Sequence, residues 1–317
     1  SRQSVFSYAA RRTRIAVRSH AGKFGFRLAR AVQNRSISMS VRSTAKLNAS
    51  LGQVDPIWHS IRAEAEEAAK SDPVLGTFLY ATILNQPSLE DAVMHRISER
   101  LGHADLSADI LRQTFDAMLD ANPEWSQTVR VDIQAVYDRD PAYSRFMDPI
   151  LYLKGFHAIQ THRLAHWLYH EGRRDFAYYL QSRSSSIFQT DIHPAAQLGS
   201  GLFLDHATGL VVGETALIED NVSILHGVTL GGTGKSSGDR HPKIRHGVLI
   251  GAGAKILGNI EVGHCSKIAA GSVVLKPVPH NVTVAGVPAK IIGDTGCAEP
   301  SRVMDQLLGD GVLGEGI

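Results

Sequence analysis

Residues 192–230 read IHPAAQLGSGLFLDHATGLVVGETALIEDNVSILHGVTL, and residues 244–274 read IRHGVLIGAGAKILGNIEVGHCSKIAAGSVV. Aliphatic side chains fall every six residues through both. The first set is Ile192, Leu198, Leu204 and Leu210; after a shift of two come Val212, Ile218, Ile224 and Leu230; then Ile244, Ile250, Ile256, Val262, Ile268 and Val274. A second set of small or aliphatic residues falls four positions later, as at Leu202, Thr208, Val222, Val248 and Ala254. A period of six fits neither the 3.6-residue turn of an α-helix nor an array of hairpins. It is the period of a parallel β-helix, where each hexad supplies a short strand and a corner, and three hexads close a triangular coil of about 18 residues. Such coils stack about 4.8 Å apart. Fourteen aliphatic positions in register argue against a sandwich of short strands.

The step of 14 from Leu230 to Ile244 breaks the register, so residues 231–243 must loop out of the coil. A loop extruded from a rigid scaffold is a place where function concentrates. It contains Gly-Lys-Ser but lacks the earlier glycine of a nucleotide-binding P-loop, where Thr229 stands, and no strand-to-helix setting surrounds it.

Working outward, residues 192–293 hold 17 of the 29 glycines and one aromatic residue, Phe203. Residues 50–189 are helical in pattern. Asp55-Pro56 and Asp72-Pro73 each pair an N-cap with proline in the first turn, predicting helices from Pro56 and over Val74 to Leu84. Ser88 and Ser107 open two more, with Gly102 stopping the first of these in the C-cap position. A long helix is predicted from Ile150 to His170, ending at Gly172.

The formal net charge of +2 conceals an asymmetry. Residues 1–47 hold 11 of the 33 basic residues and no acid, so the remainder carries 22 basic against 31 acidic residues, a net of −9. An acidic body disfavours nucleic acid as a partner. The Arg- and Ser-rich arm has the composition of an organelle transit peptide, with the mitochondrion favoured over plastid or cytosol. The longest apolar stretch, Val74 to Leu84, is too short to span a bilayer. Two cysteines, Cys265 and Cys297, exclude a disulfide framework and a cysteine-rich zinc site.

Specific segments then resemble a family. In the repeat region these are Asp-Ile-His-Pro-Ala-Ala (191–196), Leu-Asp-His-Ala-Thr-Gly (204–209), Val-Gly-Glu-Thr-Ala (212–216), Gly-Asp-Arg-His-Pro-Lys-Ile (238–244) and Ala-Gly-Val-Pro-Ala-Lys (285–290). In the helical region they are Asp-Ile-Gln-Ala-Val (132–136), Arg-Asp-Pro-Ala (139–142) and Tyr-Leu-Lys-Gly-Phe-His-Ala (152–158). Together they resemble the serine O-acetyltransferases, hexapeptide-repeat acyltransferases that convert serine and acetyl-CoA to O-acetylserine, the precursor of cysteine. The resemblance implies an α+β fold: an N-terminal helical assembly domain over 50–189, a left-handed parallel β-helix over 190–293, and a flexible tail over 294–317. It also implies a homotrimer paired into a hexamer.

A serine hydroxyl attacks a thioester only with a proton acceptor in reach, and histidine, with an ordinary pKa near 6.5, suits that task. The resemblance assigns this base to His206, with Asp191 on its other ring nitrogen. The 15 residues between them fall short of one coil, so spacing alone does not place them in contact. By the same resemblance Asp140 and Asp205 receive the substrate ammonium, and Arg240 with His241 its carboxylate. Acetyl-CoA, a co-substrate rather than a bound cofactor, passes Gly232, Ala252 and Ala270, with Lys267 and Lys290 meeting phosphates. No metal is implied. L-cysteine is an expected feedback inhibitor because it shares serine's recognition groups. The terminal Ile317 is expected to enter the active site of O-acetylserine sulfhydrylase, although Glu315 stands where aspartate is commoner.

Plainer readings exist for several residues: His193 and His226 as corner histidines, Asp191 as a cap, Asp140 as a turn residue, Lys267 and Lys290 as solvated charges. Rival functions are an acetyltransferase for sugars or antibiotics, and a zinc hydratase built on His206, His241 and His246. A third is a non-catalytic scaffold.

Overall fold

The computed structural model describes residues 55–234 and 237–308. The basic arm at 1–47, Lys235 and Ser236 of the extruded loop, and Ile317 lie outside the described residues.

Helix α1 (Pro56–Ser71) begins where Asp55-Pro56 predicts. Asp72 caps the next turn by accepting the Val74 N–H at 3.1 Å. The continuous helix expected over Val74 to Leu84 is instead three pieces: a tight turn Pro73–Leu75, helix α2 (Gly76–Leu79) and a widened turn Tyr80–Leu84. The widened turn, where Asn85 N–H reaches Tyr80 O, accompanies burial of Thr82, Ile83 and Leu84 together. Helix α3 (Leu89–Leu101) is capped by Ser88, whose hydroxyl accepts the Asp91 N–H. Gly102 ends it, though not through left-handed backbone, since its φ is −53°. Close approach explains the glycine: a Cβ there would stand 3.1 Å from both Ala108 N and Ser98 O.

Helices α4 (Ala108–Ala121) and α5 (Trp125–Arg139) follow. The long helix expected from Ile150 is broken into α6 (Asp148–Leu151) and α7 (Lys154–His170), and α8 (Arg174–Phe188) packs back on α7. The start of α7 docks closely on the β-helix: a Cβ on Gly155 would lie 2.1 Å from the carbonyl oxygen of Leu204. His157, fully buried, ties this start down. Its Nε2 donates to Ile150 O at 2.6 Å, and its Nδ1 accepts from Arg100 Nη1 at 2.8 Å. That pairing requires a neutral ring with the proton on Nε2.

From Thr190 the chain winds into a triangular prism. One face stacks β1 (Thr190–Ile192), β4 (Leu210–Val212), β7 (Thr229–Gly231), β10 (Lys255–Leu257) and β13 (Val273–Val274). The second stacks β2 (Gln197–Leu198), β5 (Leu217–Ile218), β8 (Lys243–Ile244) and β11 (Glu261–Val262). The third stacks β3 (Phe203–Leu204), β6 (Ser223–Ile224), β9 (Leu249–Ile250), β12 (Lys267–Ile268) and β14 (Val282–Gly286), closed by the antiparallel β15 (Ala289–Asp294). The register follows the hexads. Val212 pairs with Leu230 and Ile256 with Val274, each one regular coil apart. Ile192 pairs with Val212, which absorbs the shift of two, and Leu230 pairs with Ile256 across the extruded loop. The inward aliphatics form one narrow core, including Ile192, Ile218, Ile224, Ile250 and Ile268.

The third face is covered. Helices α5 and α7 lie on β3, and a short helix α9 (Pro300–Val303) lies on α5 and β9. Residues 294–308 are thus not simply a free tail: Ser301 N–H bonds Gly247 O, and Ser223 Oγ donates to Ser301 O at 2.7 Å.

Burial pushes the His157 imidazole down to about 3, whereas an unfolded histidine titrates near 6.5. On acidification the unfolded chain therefore takes up a proton that the folded chain refuses. The stabilisation is complete above about 6.5 and is lost as pH falls toward 3, at up to about 1.4 kcal/mol per pH unit for each such histidine. The melting midpoint, followed by circular dichroism, should drop steadily below pH 6.5, and a folded His157→Gln protein should show a shallower dependence.

Candidate active site

The corner between the third and first faces carries His206. Its backbone is left-handed there (φ 53°), as are those of Ala207 (φ 55°) and Gly209 (φ 73°). Two successive non-glycine residues in this region mark a tightly determined corner. Determination comes from α7 and β1. Lys154 Nζ donates to Thr208 Oγ1 at 2.5 Å and Gln189 Oε1 at 3.1 Å, and Thr190 Oγ1 donates to Ala207 O at 3.3 Å. The His206 side chain is 75% exposed, with Nε2 3.7 Å from Asp205 Oδ1. Its ring centroid lies 5.9 Å from that of His226.

Asp205 shares a cleft of about 650 Å³ with Asp140, Tyr143, Phe203, Arg302 and Met304. Asp140 follows the last residue of α5, and its Oδ1 accepts the Ala142 N–H at 3.0 Å, so the turn role and the site role coexist. Arg139 immediately before it is buried, donating to Ser223 Oγ at 3.1 Å and Asn221 Oδ1 at 3.2 Å. Burial lowers this guanidinium to about 10. Asp205 is held above the usual carboxylate range, chiefly by burial and further by Asp140, with His206 opposing. Burial, with the charges of Asp140, Asp148 and Asp205, also raises the Tyr143 phenol.

The same corner column continues downward through small residues. Gly227 N–H bonds Thr208 O, Gly253 N–H bonds His226 O, and Gly271 N–H bonds Ala252 O. Ala252 and Ala270 thus stand in the column that His206 heads. Gly232 opens the extruded loop at another corner, against the Arg240 side chain.

The corner between the first and second faces carries the second group. Arg240 Nη2 pairs with Glu214 Oε2 at 2.7 Å. His241 is buried against Gly213, where a Cβ would come within 2.0 Å of the ring. Thr215 organises both: its hydroxyl accepts the N–H groups of Arg240 (3.0 Å) and His241 (3.1 Å), while its own N–H donates to His241 Nδ1 at 3.2 Å. That leaves Nε2 of His241 carrying the proton. Burial and then Arg240 lower this imidazole, keeping it neutral. Asp191, on β1, accepts from Gln181 Nε2 of α8 at 2.7 Å. His193 is a corner residue whose Nδ1 accepts the Ala195 N–H.

The N-terminal domain model of serine acetyltransferases matches residues 57–161, and the bacterial transferase hexapeptide model, six repeats, matches residues 241–276. The serine acetyltransferase of Salmonella typhimurium is 54% identical over 254 residues, 80% of this chain and 93% of that protein. The crystal structure of the Brucella abortus serine acetyltransferase in complex with coenzyme A is 89% identical, covering 78% of this chain and 99% of that one with a TM-score of 0.77.

The chain belongs to the serine acetyltransferase family.

A serine acetyltransferase solved in complex with cysteine is 51% identical, covers 80% of this chain and 98% of its own, and has a TM-score of 0.78. The fold of this acetyltransferase is the expected helical region followed by a left-handed β-helix of hexapeptide repeats. Among the sequence-predicted site residues, one chain gathers Asp140, Asp205 and His206 at one place and Arg240 with His241 at another. Asp191 is brought to Gln181. Lys290 is exposed on β15. Lys267 is buried, and its Nζ donates to the carbonyls of Leu307 (2.9 Å) and Asp305 (3.4 Å), so here it holds the C-terminal segment. His206, His241 and His246 of the zinc reading stand on three different corners. Sequence reasoning missed Tyr143, Glu214, Thr215, Gln181 and Lys154. Glu214, Thr215 and Lys154 sat within quoted segments; Tyr143 and Gln181 are joined to the site only by packing.

Gly213→Ala should expel the His241 ring from its place and lower kcat/KM for serine by about 10²-fold, the scale of an ångström-sized misplacement. Initial-rate kinetics on the purified variant would check this, and near-normal kcat/KM would show that the ring position is unimportant.

Proposed function

We propose that this acetyltransferase moves acetyl from acetyl-CoA to the hydroxyl of L-serine in a ternary complex, with His206 as the base. One observation carries the assignment of the site. Asp140 and Asp205 face one cleft beside His206, and Asp205 is disfavoured as an anion by burial and by its neighbour. Such a carboxylate pair is relieved by an ammonium group, which supports assigning the amine of an amino acid to it and its β-hydroxyl to the imidazole. His206 takes the hydroxyl proton as the oxygen attacks the thioester carbonyl. The tetrahedral intermediate then collapses, the carbon–sulfur bond breaks, and the imidazolium returns its proton to the departing thiolate. Asp191 is assigned to steady the imidazolium. The column of Ala252 and Ala270 offers the coenzyme arm backbone groups and little steric bulk, with Gly232 and the exposed Lys290 along its further course.

Arg240 and the Nε2–H of His241 suit the substrate carboxylate. They lie on a different corner from His206, so a site that uses both groups draws them from two neighbouring prisms. A trimer about a threefold axis meets that need, and two trimers joined through their helical regions make the proposed hexamer. L-cysteine presents the same ammonium and carboxylate, so it competes with serine for this site. Ile317 is assigned to binding O-acetylserine sulfhydrylase.

CoA release should be rapid with serine and slow with other hydroxyl or amine acceptors, and His206→Ala should lose at least about 10²-fold in kcat. Coassembled His206→Ala and Arg240→Ala chains, each inactive alone, should regain activity in about a quarter of their sites. No recovery in mixed trimers would place the whole site within one chain, and a brisk His206→Ala enzyme would remove the base.

Deletion of Ile317 should abolish capture of the sulfhydrylase in a pull-down while acetyl transfer continues; retained capture would refute the tail's role.

A further inference from the structure

The connection between α5 and α6, residues 140–147, brings Asp140 and Tyr143 to the cleft. Its beginning is fixed by Arg139, anchored in the β-helix. Its far end is fixed by a different element. Glu64, from the middle of α1, accepts the N–H of Phe146 through Oε1 at 3.1 Å and the N–H of Met147 through Oε2 at 2.9 Å. One carboxylate thereby receives two successive backbone donors just before α6. Phe146 also stacks on Tyr137 of α5, with ring centroids 4.1 Å apart. Arg145 pairs with Asp148 at 2.6 Å and so does not draw Glu64 away as its own partner.

We infer that Glu64 is a positioning residue for serine recognition, acting through the 140–147 connection to hold Asp140 opposite Asp205. The inference rests on the proposed role of Asp140. Bidentate acceptance of two backbone N–H groups by an ionised carboxylate is strong and directional. Losing either oxygen as an acceptor leaves a donor unpaired and frees the end of the connection. The consequence falls on the ammonium subsite. The proposed acetyl-CoA column and the His206 corner belong to the β-helix, whereas the two backbone groups that Glu64 holds, those of Phe146 and Met147, belong to the helical region.

The test is steady-state kinetics of the full-length enzyme carrying Glu64→Gln, which keeps the shape but turns one acceptor into a donor. KM for serine should rise about tenfold, while kcat and KM for acetyl-CoA change less than about twofold. Glu64→Asp, with the carboxylate drawn back by one methylene, should give a smaller rise in the same parameter, and it serves alone if the glutamine variant does not fold. Asp140→Asn, measured alongside, should raise KM for serine at least as much. An unchanged serine KM in the Glu64 variants, with Asp140→Asn still impaired, would overturn the positioning role alone. A parallel loss in kcat and in both KM values would overturn it too, since that is the mark of general destabilisation. An unaffected Asp140→Asn enzyme would overturn both this inference and the assignment of the ammonium subsite.

Discussion

Asp132 is fully buried, and its carboxylate joins three separate elements. It accepts from Gln160 Nε2 and Arg163 Nη2 of α7, both at 2.8 Å, and from the N–H of Leu202 in the first coil at 3.2 Å. Arg163 in turn donates to Gly199 O at 2.8 Å. A buried ion pair of this kind contributes little as attraction alone, because desolvation offsets it, yet removing one partner typically costs about 3–5 kcal/mol. Its value lies in geometry. It locks α5 and α7 in one position on the β-helix, and Asp140 stands at the end of α5 while Lys154 stands at the start of α7. Both arms of the His206 site are therefore placed by one polar junction.

The β-helix contributes rigidity of another kind. Its inward aliphatics leave corners little freedom, and glycines with φ near +70° recur at Gly209, Gly227, Gly253 and Gly271 down the column below His206. Only at the head of that column do bulkier residues adopt left-handed backbone in succession, at His206 and Ala207. Strain held by its surroundings is common at sites of chemistry. Here the surroundings are identifiable as Lys154, Thr190 and the close contact of Gly155 with Leu204.

Coverage of the third face by α5, α7 and α9 has a further effect. It commits Lys267 and Ser223 to the C-terminal segment and sets Arg302 and Met304 in the wall of the Asp140–Asp205 cleft. Residues 302–306 are thus part of the boundary of the proposed substrate site. Grouping Arg240 and His241 on a separate corner makes assembly, rather than folding alone, the step that completes the proposed site.

The hexads made the β-helix legible from Ile192 to Val274, because an inward side chain every six residues is a local requirement of that fold. The segments around His206, Asp205 and Arg240 were legible in another way, through their resemblance to the serine O-acetyltransferases, since the period alone says nothing of their chemistry. The helical region was legible only in outline. Nothing local shows that the helix expected from Ile150 must break so that Gly155 can meet Leu204, or that Val74 to Leu84 divides into three turns. Lys267 read as a free cation because its partners, the carbonyls of Asp305 and Leu307, are some forty residues away. What the sequence by itself determined was the periodic scaffold and the chemical types at its corners. Which of those groups meet was decided by tertiary structure, since contacts among α1, α5, α7 and the coils depend on burial and hydrogen bonding between segments far apart in the chain.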